Sequence, residues 1–191
     1  MFTLIPHLTR KTTALVLAAL ATLALSAAAV AGTITASANV TGAGSLGLSH
    51  GASASVPAVT LDGTDQDGTF TIPLSITDAR GSGSGWNATI TSTTFNDGSG
   101  HNLGTSASSV DSVSSACVSG GTCTAPTNAV SYPLTLPAGS TAPAAVKFFN
   151  AAANTGMGRF TVTPTVSISV PGNAYAGTYS STVTVAVASG P

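Results

Sequence analysis

The sequence predicts an all-β chain folded as a single antiparallel β-sandwich, Ig-like or related, of about ten short strands. Three observations lead there. Apolar and hydroxyl-bearing side chains alternate with a period of two through most of the chain. Turn signals recur between the alternating runs: Asp62-Gly63, Asp67-Gly68, Asp97-Gly98, Gly120-Gly121 and Pro171-Gly172-Asn173. Finally, 6% of the 191 residues are charged and none is Glu, whereas an ordinary domain carries about 25% charged residues and clothes its exposed helix faces with them.

Residues 1–31 read as a secretory signal peptide. Arg10 and Lys11 form a positive start, Ala14 to Val30 is an apolar run, and Ala29-Val30-Ala31 is a small-x-small cleavage site. A second cut is available after Ala38. The alternative is a retained anchor, because the apolar run stands near the lower limit of about 17 residues for a membrane span. Cleavage leaves residues 32–191 as one domain without a transmembrane anchor, and no Cys follows the apolar run to take a lipid.

The strands follow in order. Ile34 to Thr41, Ser45 to Ser49 and Val56 to Leu61 are short candidates. Phe70, Ile72, Leu74 and Ile76 then alternate with Thr71, Pro73, Ser75 and Thr77, as in a strand with one buried face. Trp86 to Phe95, Val130 to Leu136 and Ala144 to Phe149 are further candidates. Phe160, Val162, Val166, Ile168 and Val170 alternate with Thr and Ser, and so do Tyr179, Val183, Val185 and Val187. Between Asp97 and Thr127 (97–127) the Ser/Thr/Gly-rich chain loses its pattern and reads as a long loop or ragged hairpin. Ala142 to Ala153 is the one helix candidate, of a turn or two, because its Ala content lacks polar periodicity.

Composition also limits function. Without the signal peptide, Arg80, Lys147 and Arg159 stand against six aspartates, a net charge of −3. Such a surface has too few cations to neutralise phosphates, so no nucleic-acid partner is expected. Export favours pairing of Cys117 with Cys123, a short loop clip worth roughly 2 kcal/mol on the chain-entropy model. No H-E-x-x-H is present, and His50 and His101 read as lone surface imidazoles. The chain is therefore read as no enzyme, with no cofactor. Asp62, Asp65 and Asp67 are a weak Ca²⁺ candidate beside the plainer reading of a turn whose carboxylates accept backbone N–H groups.

The most distinctive segment runs from Asp78 through Arg80, Gly81, Gly83 and Gly85 to Trp86 and Asn87. A strand ends at Asp78, alternating glycines supply positive φ, and a strand resumes at the only Trp. Asp78 and Arg80 are spaced to pair across the loop mouth. Trp86 is either a core anchor, matching the parity of Ala88 and Ile90, or an exposed indole for stacking on a sugar.

That segment resembles the first signature of the WxL domain, a secreted surface module of Gram-positive bacteria. Gly156-Met157-Gly158-Arg159-Phe160 and the stretch Val170 to Tyr179 are similar to its closing part. The two Trp-x-Leu triplets that name the family are altered here, to Trp86-Asn87-Ala88 and Val185-Ala186-Val187. The resemblance implies a secreted β module that associates non-covalently with the peptidoglycan wall or with partner surface proteins. If the lost Leu and Trp side chains grip a ligand, binding is altered in this chain; if they are core positions, only the core shrinks. The alternative function is an assembly subunit that pairs with other surface proteins through an exposed, uncharged edge strand.

Overall fold

The computed structural model describes residues 35–42 and 44–191. The signal peptide, residues 1–31, lies outside the described residues. Asn39–Pro191 forms one compact unit. Ten strands build it: β1 (Leu46–His50), β2 (Gln66–Thr71), β3 (Leu74–Asp78), β4 (Trp86–Thr93), β5 (Ser108–Cys117), β6 (Leu134–Thr135), β7 (Ala138–Gly139), β8 (Val146–Ala151), β9 (Gly158–Val170) and β10 (Val183–Ser189). Among the described residues there is no helix, and so none long and apolar enough to cross a membrane.

The long strand β9 organises the larger sheet. β5 runs antiparallel along one side of it, and β2 and β3 lie end to end along the other, with β1 beyond β3. Ile72 N–H donates to the Pro164 carbonyl at 3.1 Å, but Pro164 has no N–H to return. The ladder thins at that point, and the edge divides into β2 and β3 around Ile72-Pro73. In the smaller sheet β4 is central, with β10 on one side and β8 and the short parallel β7 on the other.

The expected alternation is present wherever one face is buried. Phe160, Val162, Val166 and Ile168 of β9, with Phe70, Leu74 and Ile76, meet Trp86, Ala88, Ile90 and Phe148 of the smaller sheet. The intervening Thr and Ser residues of β9 stand on the outer face, hydrated without charge.

Five segments differ from the expectation. Within 97–127, read as a long loop or ragged hairpin, β5 is a ten-residue strand paired with β9. A register shift between Val110 and Ser112 breaks its parity, and beyond Val110 most of its side chains are exposed, so it carries no apolar alternation for a reader of the sequence to detect. Ala142 to Ala153 forms no helix; the strand expected over Ala144 to Phe149 is present as β8, where a shift opposite Ala88/Thr89 lets consecutive Phe148 and Phe149 both face inward. Val56 to Leu61 is irregular and packs Val56 and Val59 over Gly68. Of Val130 to Leu136 only β6 is strand: the chain before it is latched to β8 by side chains, with Asn150 Oδ1 accepting from Ala129 N–H at 2.9 Å and Asn128 Oδ1 from Asn150 N–H at 3.0 Å. The described part of Ile34 to Thr41 is exposed and forms no strand.

Candidate functional site

The segment from Asp78 to Asn87 joins the two sheets at one end of the sandwich. Asp78 closes β3, and its side chain is 1% exposed. Arg80 meets that carboxylate with two parallel bonds, Nε to Oδ1 and Nη2 to Oδ2, both 2.8 Å. The guanidinium also donates to the Gly85 carbonyl at 2.7 Å and to Ser189 Oγ, which ends β10. Hydrogen bonding from Arg80 holds the Asp78 carboxyl below its ordinary pKa against the opposing effect of burial. One ion pair therefore fastens β3, the glycine loop and the last strand together.

The glycines serve the same clasp. Gly81, Gly83 and Gly85 have φ of 68°, 64° and 68°, a region that side chains disfavour. At Gly85 a Cβ would stand 2.4 Å from the Ala151 carbonyl oxygen. Asn87 donates to the Gly190 carbonyl at 2.8 Å, and Gly190 N–H returns a bond to Gly85 at 3.1 Å. Trp86 is fully buried, with its indole N–H on the Gly156 carbonyl at 2.9 Å and its ring 5.8 Å from that of Phe149. It is the core anchor, and it offers no face to a sugar. The Cys117–Cys123 disulfide lies at this end too, against Gly158, where a Cβ would come within 2.9 Å of Cys123 Sγ.

The two altered triplets are cross-strand neighbours. Ala88 pairs with Val187, and Val185 with Ile90. Ala88 is 1% exposed and both valines are half-buried, so these positions look into the sandwich.

The opposite end carries a cluster that the sequence reading missed. Asp97 Oδ1 accepts backbone N–H bonds from Ser99 at 2.8 Å and His101 at 3.0 Å, while Oδ2 holds His101 Nδ1 at 2.6 Å. Hydrogen bonding from His101 first, and from the two backbone groups, draws the Asp97 carboxyl down to about 2. The imidazole stacks on Tyr175 at 3.8 Å and 16° between planes. Tyr175 is 64% exposed. His101 is thus no lone surface imidazole; its i,i+4 spacing from Asp97, and the Tyr inside the closing motif, were the available signals. Tyr175 also borders an apolar cleft of about 580 Å³ with Val56, Val59, Leu61 and Tyr179. A separate polar cleft of about 460 Å³ is lined by Asn96, Asn102, Ser181 and Thr182.

The three clustered aspartates do not converge on one point. Asp62 Oδ1 accepts from Thr64 N–H, Thr64 Oγ1 and Gln66 within a tight turn, and Asp65 Oδ1 accepts from Gly172 N–H at 2.9 Å. Asp67 is exposed on β2. Among the described residues no three His, Cys, Asp or Glu side chains are grouped to hold a metal ion.

Comparison with known proteins decides the family. The family model described as WxL domain surface cell wall-binding matches residues 48–191. The chain belongs to the WxL family. No curated protein and no solved structure matches it. The WxL match begins inside β1 and runs through β10, so it takes in the clasp, both altered triplets and the Tyr175 cluster.

Proposed function

We propose that this WxL protein is exported and non-catalytic, and that it associates non-covalently with the peptidoglycan wall. The observation that carries the reading is the match of a surface cell wall-binding family over residues 48–191. The chemistry of the described residues supports it. The buried carboxylate of Asp78 is consumed by Arg80 and that of Asp97 by His101, which leaves neither placed as a free acid or base. With three cations against six aspartates in the domain, attraction to an anionic envelope contributes little, and contact rests on hydrogen bonding and ring stacking. Co-sedimentation with purified peptidoglycan tests the reading. The protein pellets from low to high salt if contact is uncharged, and protein left in the supernatant at every salt concentration overturns it.

A second reading is favoured by β10, which ends its sheet and presents Thr184, Ala186 and Ala188 outward without a charge. Edge strands are commonly guarded by Lys, and this one is suited to pair with a strand of another surface protein. Cross-linking on the intact cell surface distinguishes the two: a discrete adduct through β10 supports assembly, and monomer alone counts against it.

A further inference from the structure

We infer that the end of the sandwich bearing Tyr175 is a binding site for an uncharged amino-sugar chain, with the Tyr175 ring as its stacking platform. The inference deepens the wall-binding reading and rests on it for the polymer's source, but its site is defined independently.

An exposed aromatic ring is ordinarily free to sample rotamers, and ordering it on binding costs affinity. Here the ring is fixed beforehand. One face lies on His101, His101 is held by the largely buried Asp97, and Asp97 is in turn fixed by two backbone N–H groups. The Tyr175 backbone is pinned as well: its carbonyl accepts from Tyr179 Oη at 3.1 Å, and the turn before it is tied to Asp65 through Gly172. Asn96 and Ser180 exchange two backbone bonds of 2.9 Å beneath the loop. Three layers of support thus hold a residue that buries little of its own surface, an arrangement suited to a recognition site rather than to core stability.

Tyr175 is 64% exposed while stacked on His101, which leaves ring surface for a ligand, and an aromatic face accepts the C–H side of a pyranose ring. The apolar cleft that Tyr175 borders, with Val56 and Val59 on its wall, fits the methyl of an acetamido substituent. Asn96, Asn102, Ser181 and Thr182 line a second cleft that shares no residue with the first; Asn96 Nδ2 is bonded to Asn102 Oδ1 and Ser181 Oγ to the Thr93 carbonyl, so the remaining amide and hydroxyl capacity there is what a further sugar unit meets, without demanding charge. Neither cleft is lined by Lys or Arg, which disfavours phosphate-bearing polymers and favours a neutral N-acetylhexosamine chain.

The test uses the purified protein with a soluble N-acetylglucosamine tetramer and with insoluble peptidoglycan, comparing wild type, Tyr175→Phe and Tyr175→Ala. Because Tyr175 is 64% exposed, the alanine variant keeps its fold, checked by far-UV circular dichroism. The expected result is tetramer binding seen as perturbation of the Tyr175 and His101 ring signals in NMR spectra. Phe retains that binding and Ala loses about tenfold or more. If wild type pellets with peptidoglycan and Tyr175→Ala pellets equally well, the site is overturned while wall binding stands. If wild type pellets but ignores the tetramer, the sugar assignment is overturned. Tetramer binding that depends on Tyr175, without pelleting, supports the site and removes the wall reading. Binding to neither ligand overturns both.

Discussion

Ala88 of β4 lies directly opposite Val187 of β10, so the third positions of the two altered triplets face each other across one strand pair. The pair is where the family's Leu side chains would stand, and in this chain a small residue meets a medium one. Ala88 is packed against the sandwich interior at 1% exposure. The positions that name the family are therefore built into the fold here, next to the clasp formed by Asp78, Arg80 and Ser189.

Restoring the larger side chain alone overfills this site. Ala88→Leu is expected to destabilise the protein by about 1–3 kcal/mol. Combined with Val187→Ala, part of that loss is recovered, giving a coupling of about 0.5 kcal/mol or more in a denaturant double-mutant cycle. Strict additivity would show that the two positions do not share space.

Gly156 has φ of 69°, and a Cβ there would come within 2.3 Å of Ala151 Cβ and 2.6 Å of the Trp86 indole nitrogen. Gly98 has a similar φ of 77° with nothing within 4 Å. Gly98→Ala is expected to cost about 1 kcal/mol, the backbone strain alone. Gly156→Ala is expected to cost at least about 3 kcal/mol, as strain and overpacking combine. Urea midpoints of the two variants separate these contributions, and equal losses would remove the close approach to Trp86.

Acid weakens the ends of the sandwich through two aspartates. Asp97 has an ordinary value of 3.8 and is drawn to about 2 in the fold. A lowered folded value contributes stability that is present above the unfolded pKa and is lost as pH falls through the folded one. The loss from Asp97 therefore falls between about pH 4 and pH 2. Asp78, lowered by Arg80, acts in the same direction below its ordinary value. Thermal melts of Asp97→Asn across this range should show a flatter decline than wild type; an identical decline would mean that His101 does not hold the carboxylate.

Trp86 provides an optical check on the core. Its emission is expected to be blue-shifted and shielded from iodide, because the ring is fully buried with its N–H on Gly156. Red, readily quenched emission would place the indole at the surface.

Much of this architecture was legible in the sequence because a half-buried sheet writes its own pattern. The alternation through Phe160 to Val170 gave β9 its register, and the turn pairs marked its neighbours. Glycine spacing announced the clasp, since only a chain requiring positive φ places Gly81, Gly83 and Gly85 alternately before a buried ring. β5 was not legible, because its stability comes from the ladder with β9 and its bulge erases parity. Nor could one sequence show that Asn128 and Asn150 replace a ladder with side-chain bonds. The Tyr175 cluster escaped for a related reason. Asp97 and His101 are close in sequence, but Tyr175 reaches them only when the loop after β9 folds back over the loop after β4.

The clasp and the Tyr175 platform occupy opposite ends of the sandwich, so stability and wall contact should separate. Arg80→Gln breaks the two bonds to Asp78 and leaves Tyr175 untouched. The decisive measurement is the fraction of Arg80→Gln that pellets with purified peptidoglycan at a temperature where its circular dichroism matches wild type. A lowered melting temperature with wild-type pelleting is predicted; a wild-type melting temperature with pelleting lost would put the grip at the signature segment and contradict the separation.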